Sequence, residues 1–198
     1  MLAGAYYGVE IAVARWHTVQ TASTLVSSAT IRKDDLSVRH LEILLKVQDP
    51  NFYHHKGVDF VTPGTGWTGI TQSLAKKFYF ENFKEGLPKI KQTLCARFAL
   101  DPLVSKDDQI TIFLNVTYFG NGQFGIDRAA TYYFSRHVDE LTEDEYIALI
   151  ASIISPTTLN IESNPTANLQ RVDRIKKVLI GEYVPKGLLD ITYDRDGS

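Results

Sequence analysis

The sequence is short of several things, and each shortage removes a class of protein. It has one cysteine, Cys95, in 198 residues, which excludes an internal disulfide and any cysteine-rich metal site. No run of 18 or more apolar residues occurs, so no segment reads as a complete membrane span. Period-two alternation of apolar and polar residues is nearly absent, and with it the signature of half-buried strands. There is no internal repeat and no low-complexity tract. The net charge of -2 argues against broad nucleic-acid binding, although it says nothing about a local basic site.

What is present suits one globular domain. A hydrophobic share of 44% against 22% charged residues is enough for a sizeable core and makes disorder unexpected. The first residues are mostly apolar and end in Arg15, Trp16 and His17. Residues 1–17 therefore have two readings: the end of a membrane anchor, with Trp16 near the interface, or a first helix packed on the core. Residues 18–198 form the domain proper. A secretory signal fits poorly, because the start carries no basic residue.

Helical periodicity runs nearly throughout. Leu41, Leu44 and Leu45 in "SVRHLEILLKV" recur at helical spacing, as do Ile70, Leu74 and Phe78 in "TGITQSLAKKFYF". Pro88 suits a first helical turn, after which Ile90, Leu94 and Phe98 mark one face. Gln92 lies about 200° around from Ile90, away from that stripe. Ser105 with Asp108 and Thr142 with Glu145 resemble N-terminal capping pairs. Asn164-Pro165 announces a last helix through Leu179. The glycine-rich stretches "TPGTGWTG" and "FGNGQFG" sit between helices and read as turns or loops beside a cleft. The fold class is all-α.

The chemistry-bearing residues fall into ordered blocks. Val47 to Gly57 reads "VQDPNFYHHKG" and resembles the first motif of the peptidoglycan glycosyltransferases, Glu-Asp, two residues, Phe, two residues, His, one residue, Gly. Gly66 to Leu74 is similar to the second motif, Gly-Gly-Ser-Thr-Ile-Thr-Gln-Gln-Leu. Pro88, Lys89 and Gln92 correspond to the third. Ile110 to Phe134, with Asn115, Tyr118 to Gly120 and Gly125 to Phe134, resembles the fourth and fifth. Five motifs in register over roughly Ile31 to Leu179 are a specific signal where one would be weak. These are the family 51 transglycosylase domains of monofunctional transglycosylases and class A penicillin-binding proteins.

The resemblance implies a lysozyme-like, bilobed domain at the membrane surface, on the outer (periplasmic or extracellular) face of the cell membrane. It implies polymerisation of lipid II, with the first-motif Glu as base and the third-motif Glu assisting near the phosphates. It also implies binding of substrate by Thr71, Gln72, Lys76, Lys84, Lys89 and Asn115, and a structural role for Phe52, His55 and Gly57. No cofactor is certain; a divalent cation such as Mg2+ is compatible with a pyrophosphate substrate. Nucleic acid is not an expected partner, whereas a cell-wall protein is.

Departures from the pattern raise a second issue. Both Glu positions hold amides, Gln48 and Gln92, and an amide cannot accept a proton near neutral pH. General-base help alone is worth about 10²–10⁴ in rate. Trp67, Gly69, Ser73, Pro88 and Thr111 also depart from the motifs, and the loop from Asp59 to Gly66 is shorter than usual. Asp49 is the candidate substitute base, set against a structural or capping role. On a helix it would project about 100° from Gln48. His54 and His55 are adjacent, point apart, and do not suggest a metal pair. The leading expectation is a pseudoenzyme that binds lipid-linked glycan, peptidoglycan or a cell-wall partner. An active glycosyltransferase with altered groups comes second, and a glycan-cleaving enzyme third.

Overall fold

The computed structural model of the chain describes residues 2–80 and 87–194, and among them the side chains of 6–80 and 89–194. Lys84, expected to bind substrate, lies outside the described residues, as does Phe83. The described residues form eight α-helices and no strand, which is the all-α fold expected of a lysozyme-like transglycosylase domain. They are α1 (Leu2–Ser27), α2 (Val38–Gln48), α3 (Ile70–Tyr79), α4 (Leu87–Cys95), α5 (Lys106–Val116), α6 (Ile126–Phe134), α7 (Glu143–Ser152) and α8 (Pro165–Leu179).

The capping signals act where the sequence puts them. The Ser105 hydroxyl accepts the Asp108 N–H at 3.1 Å and opens α5. Thr142 and Glu145 close a reciprocal box: the Glu145 N–H donates to the Thr142 hydroxyl at 3.3 Å, and the Thr142 N–H to the Glu145 carboxylate at 2.8 Å. That box starts α7, which is apolar on every side and accordingly lies in the core with Tyr146, Ile147, Leu149 and Ile150 fully enclosed. Helices α2, α6 and α8 pack around it.

Helix α1 runs unbroken through residue 17. Its Ala14, Thr18 and Ala22 are buried, whereas Tyr6, Val9, Val13 and Trp16 face outward, Trp16 at 68% exposure. No described helix is long and apolar enough to cross a membrane.

The apolar stripe expected on α4 turns out to face the wrong way. Ile90 and Phe98 are about half exposed, at 50% and 47%, whereas Gln92, Cys95, Ala96 and Ala99 are buried. Two physical reasons combine. The small face of α1 comes close to this segment and admits only small residues opposite it, here Cys95 and Ala99. The segment also leaves α4 through a π-helical turn, Ala96–Leu100, closed by the Asp101 N–H on the Ala96 carbonyl at 3.0 Å, which shifts the helical register. Two substitutions separate this packing from the one the stripe suggested. Ala99→Leu should destabilise by about 1–3 kcal/mol through overpacking, and Ile90→Ser by less than about 1 kcal/mol, both read from urea unfolding midpoints.

Candidate glycan-binding cleft

The first motif begins where α2 ends. Asp49 is the residue that ends the helix, with extended backbone (φ -164°), so its side chain leaves the helical path that separates it from Gln48. Its carboxylate is fully enclosed. One oxygen accepts the backbone N–H of Ile70 at the start of α3, at 3.0 Å, and both lie 3.0 Å from His55 Nε2. Asp49 thus caps α3 in place of a side chain at position 69. Gly69 is required there, because a Cβ would sit 2.2 Å from the Asp49 oxygen. The turn that returns His55 passes through Gly57, whose φ of +83° and approach to the Ala96 carbonyl leave no room for a side chain. Phe52 fills the space under this turn, 1% exposed, with the Lys106 ammonium 4.3 Å above its ring.

Gln48, by contrast, is half-buried and opens onto a cleft of about 560 Å3. Its amide donates weakly to the Ile150 carbonyl at 3.4 Å. One wall is the glycine-rich stretch from Gly64 to Thr68, another the α3 face carrying Ser73, Lys76 and Lys77. Arg171 of α8, Ile191 of the C-terminal segment, Tyr118 and Pro156 also line the cleft. Three cations therefore border the cavity, and no Asp or Glu does among the described residues. Burial, and then the neighbouring charge of Lys76, pull the Lys77 ammonium below its ordinary pKa.

The shortened loop is clamped. The N–H groups of Gly64 and Gly66 donate to the carbonyls of Gly187 and Leu188, at 2.9 and 2.7 Å. Within the loop, burial raises the Asp59 carboxyl, but hydrogen bonds from Thr62 and Val61 outweigh it and hold the group down at about 2. Phe60 and Trp67, ring centroids 5.8 Å apart, form an exposed aromatic lip beside it.

The remaining expected site residues separate into two groups. Lys76 lines the cleft, and Lys89 reaches its edge, donating to the Thr68 hydroxyl at 3.4 Å. Thr71, Gln72, Gln92 and Asn115 do not line it. Thr71 donates to Gln109 at 2.7 Å, and Gln72 to Thr93 at 3.3 Å. Gln92, 1% exposed, donates to the Gln72 carbonyl at 2.7 Å and leaves its own oxygen buried without a partner. Asn115 pins the segment before α2 by accepting from Thr30 at 2.9 Å and donating to the Ile31 carbonyl at 2.6 Å. A hard divalent cation needs oxygen donors, usually carboxylates. The described cleft residues supply no carboxylate, and no described cluster of three metal-ligating side chains exists elsewhere. The described residues do not fit a resident Mg2+.

Comparison with known proteins agrees with the family resemblance. The family model described as Transglycosylase matches residues 15–179. The chain belongs to the transglycosylase family. Among curated relatives, penicillin-binding protein 1F of Bacillus subtilis is 31% identical over 174 residues, covering 79% of this chain and 24% of that protein. Penicillin-binding protein 1A of Vibrio cholerae is 29% identical over 175 residues, covering 81% and 21%. Penicillin-binding protein 1A of Escherichia coli is 26% identical over 169 residues, covering 79% and 19%. The chain spans about a quarter of the length of the relatives it matches.

Sequence reasoning on this transglycosylase domain passed over Lys77 and Arg171. A signal for both existed. Arg171 falls in the buried series Asn168, Arg171, Val172, Ile175 and Val178, and Lys77 lies seven residues after Ile70 and three after Leu74, at the cleft-lining but solvent-exposed edge of α3. A cation in a core register is worth a look because burial without compensation is costly. Two variants test the division of labour between neighbours at the motif. Asp49→Ala should cost on the order of 3 kcal/mol, since it orphans a buried backbone donor and an imidazole. Gln48→Ala should change stability by less than about 1 kcal/mol; thermal denaturation of the pair reads both.

Proposed function

We propose that this domain binds a peptidoglycan glycan, lipid-linked or polymerised, in its cleft without polymerising it. The observation that carries the reading is the composition of the cleft wall: an amide at the position of the family's base, three cations, and no acid among the described residues. Glycosyl transfer to a sugar hydroxyl needs a group that takes the proton in the transition state. Binding an anionic glycan needs only hydrogen-bond donors and positive charge. Gln48, Thr68 and Ser73 supply polar groups for the sugar, and Lys76, Lys77 and Arg171 the charge.

The enzyme alternatives draw less support. An active glycosyltransferase using Asp49 would need that carboxylate to reach the cleft, yet it is at 0% exposure and committed to Ile70 and His55. A glycan-cleaving enzyme needs a positioned acid, and the described lining offers none.

The outward stripe of α1, Tyr6, Val9, Val13 and Trp16, with Ile90 and Phe98 exposed on the segment packed against it, supports placement against a membrane surface on the outer face of the cell membrane. Residues 1–17 would then act as part of a surface helix continuous with the domain. A cell-wall protein remains the partner in the variant of this reading where the cleft presents glycan to another enzyme.

Labelled lipid II tests the proposal. Saturable binding with no polymer, with or without divalent cation, is the expected result; polymer formation would sink it. Restoring the carboxylates should not restore polymerisation. Gln48→Glu puts an acid in the cleft, but Gln92→Glu places a carboxylate against the Gln72 carbonyl in a sealed site. We expect Gln92→Glu to destabilise the fold on the order of 2 kcal/mol, and Gln48→Glu/Gln92→Glu to yield no glycan strands on gels.

A further inference from the structure

Arg171 is out of place for a structural arginine. It is 3% exposed on α8, yet its Nε and Nη1 are enclosed with no hydrogen-bond partner. Buried arginines ordinarily meet a carboxylate or several carbonyls, because an uncompensated buried charge is expensive. Neither described carboxylate of the nearby C-terminal segment hydrogen-bonds its guanidinium, although one Asp190 oxygen is itself enclosed without a partner. Asp194 pairs with Arg174 at 3.0 Å. Asp190 accepts the Tyr183 hydroxyl at 2.6 Å and the Lys186 N–H at 3.0 Å. What Arg171 has instead is an aromatic face, the ring of Tyr193, 4.4 Å from its guanidinium carbon. The Tyr193 hydroxyl in turn donates to the Val47 carbonyl at 3.3 Å, so the stack is tied to the residue before Gln48. Arg171 is one of the residues that line the cleft.

We propose that Arg171 is the oxyanion-binding residue of the cleft, where it receives a phosphate or carboxylate group of the bound glycan. The inference deepens the glycan-binding reading and rests on it for the identity of the ligand. The stacked guanidinium is held in one orientation before binding, which suits a planar fork of donors to a two-oxygen group. The cleft repels no anion, since its described lining has no acid, and Lys76 and Lys77 add attraction from the α3 wall. Burial lowers the Arg171 pKa, although a guanidinium stays charged at neutral pH. Tyr193 and Asp194 offset only part of the burial cost, which leaves the charge under-compensated until an anion arrives. Two sources supply such a group, the diphosphate of a lipid-linked sugar and the lactyl or peptide carboxylates of the glycan.

The test uses sodium pyrophosphate and N-acetylmuramic acid as separate probes at fixed ionic strength, with the whole chain and with Arg171→Met. Calorimetry should show that at least one probe binds the wild type, and that Arg171→Met weakens it about tenfold or more. The probe that responds identifies the source. Removing an unpaired buried charge with a residue of similar length should leave the melting temperature of the free protein unchanged or raised. If Arg171→Met does not fold, the wild type still decides: the arginine side-chain 15N resonance of Arg171 must shift with probe concentration along the calorimetric curve. No binding of either probe, equal binding by both proteins, or a resonance that stays still would overturn the proposal. Lipid II binding that is unchanged in Arg171→Met would refute this subsite and leave the glycan reading standing. Arg171-dependent pyrophosphate binding without lipid II binding would do the reverse.

Discussion

Asp49 sits fully enclosed where three segments converge, and its oxygens serve the backbone N–H at the start of α3 and the ring of His55. That one carboxylate ends α2, closes the turn through Phe52 to Gly57, and sets where α3 begins. The position of Gln48 on one side of the cleft and of Lys76 and Lys77 on the other both follow from it. Gly69 completes the joint by omission, since any side chain would occupy the place of the carboxylate oxygen. With both oxygens partnered and no exposed surface, this carboxylate does not face the cleft.

Around that joint, the described cleft lining carries three cations and no carboxylate. The cations that would hold an anionic leaving group border the cavity, and the described lining has no group that could take a proton from a sugar hydroxyl. The loop beside the cleft is similarly altered. Two backbone hydrogen bonds to the C-terminal segment, from Gly64 and Gly66, fix it as a wall. The same segment brings Tyr193 under Val47 and against Arg171, so part of the cleft is built by residues some 120 to 145 positions beyond the first motif.

Much of the helical framework was legible in the chain itself. Ser105 with Asp108, Thr142 with Glu145, and Asn164 with Pro165 are local devices whose effect is confined to one helical turn, and each starts a helix at the expected place. The apolar stripe of α4 was misleading for a reason that is not local. Which face of a helix is buried depends on what packs there, and the close approach of α1 favours Cys95 and Ala99 over Ile90 and Phe98. Gln92 follows the same rule: a polar side chain became interior because its face did, with its amide taken up by the Gln72 carbonyl.

The sequence by itself determined the all-α class, the helix starts, and the amides at positions 48 and 92, because these depend on residue identity and short-range spacing. Tertiary structure alone decided that Gln48 lines the cleft and Gln92 does not, that Asp49 is a joint, and that Arg171 stands at the cavity without a carboxylate. Those properties are set by distances between α2, α3, α8 and the C-terminal segment, and no local pattern records how far apart two segments come to rest.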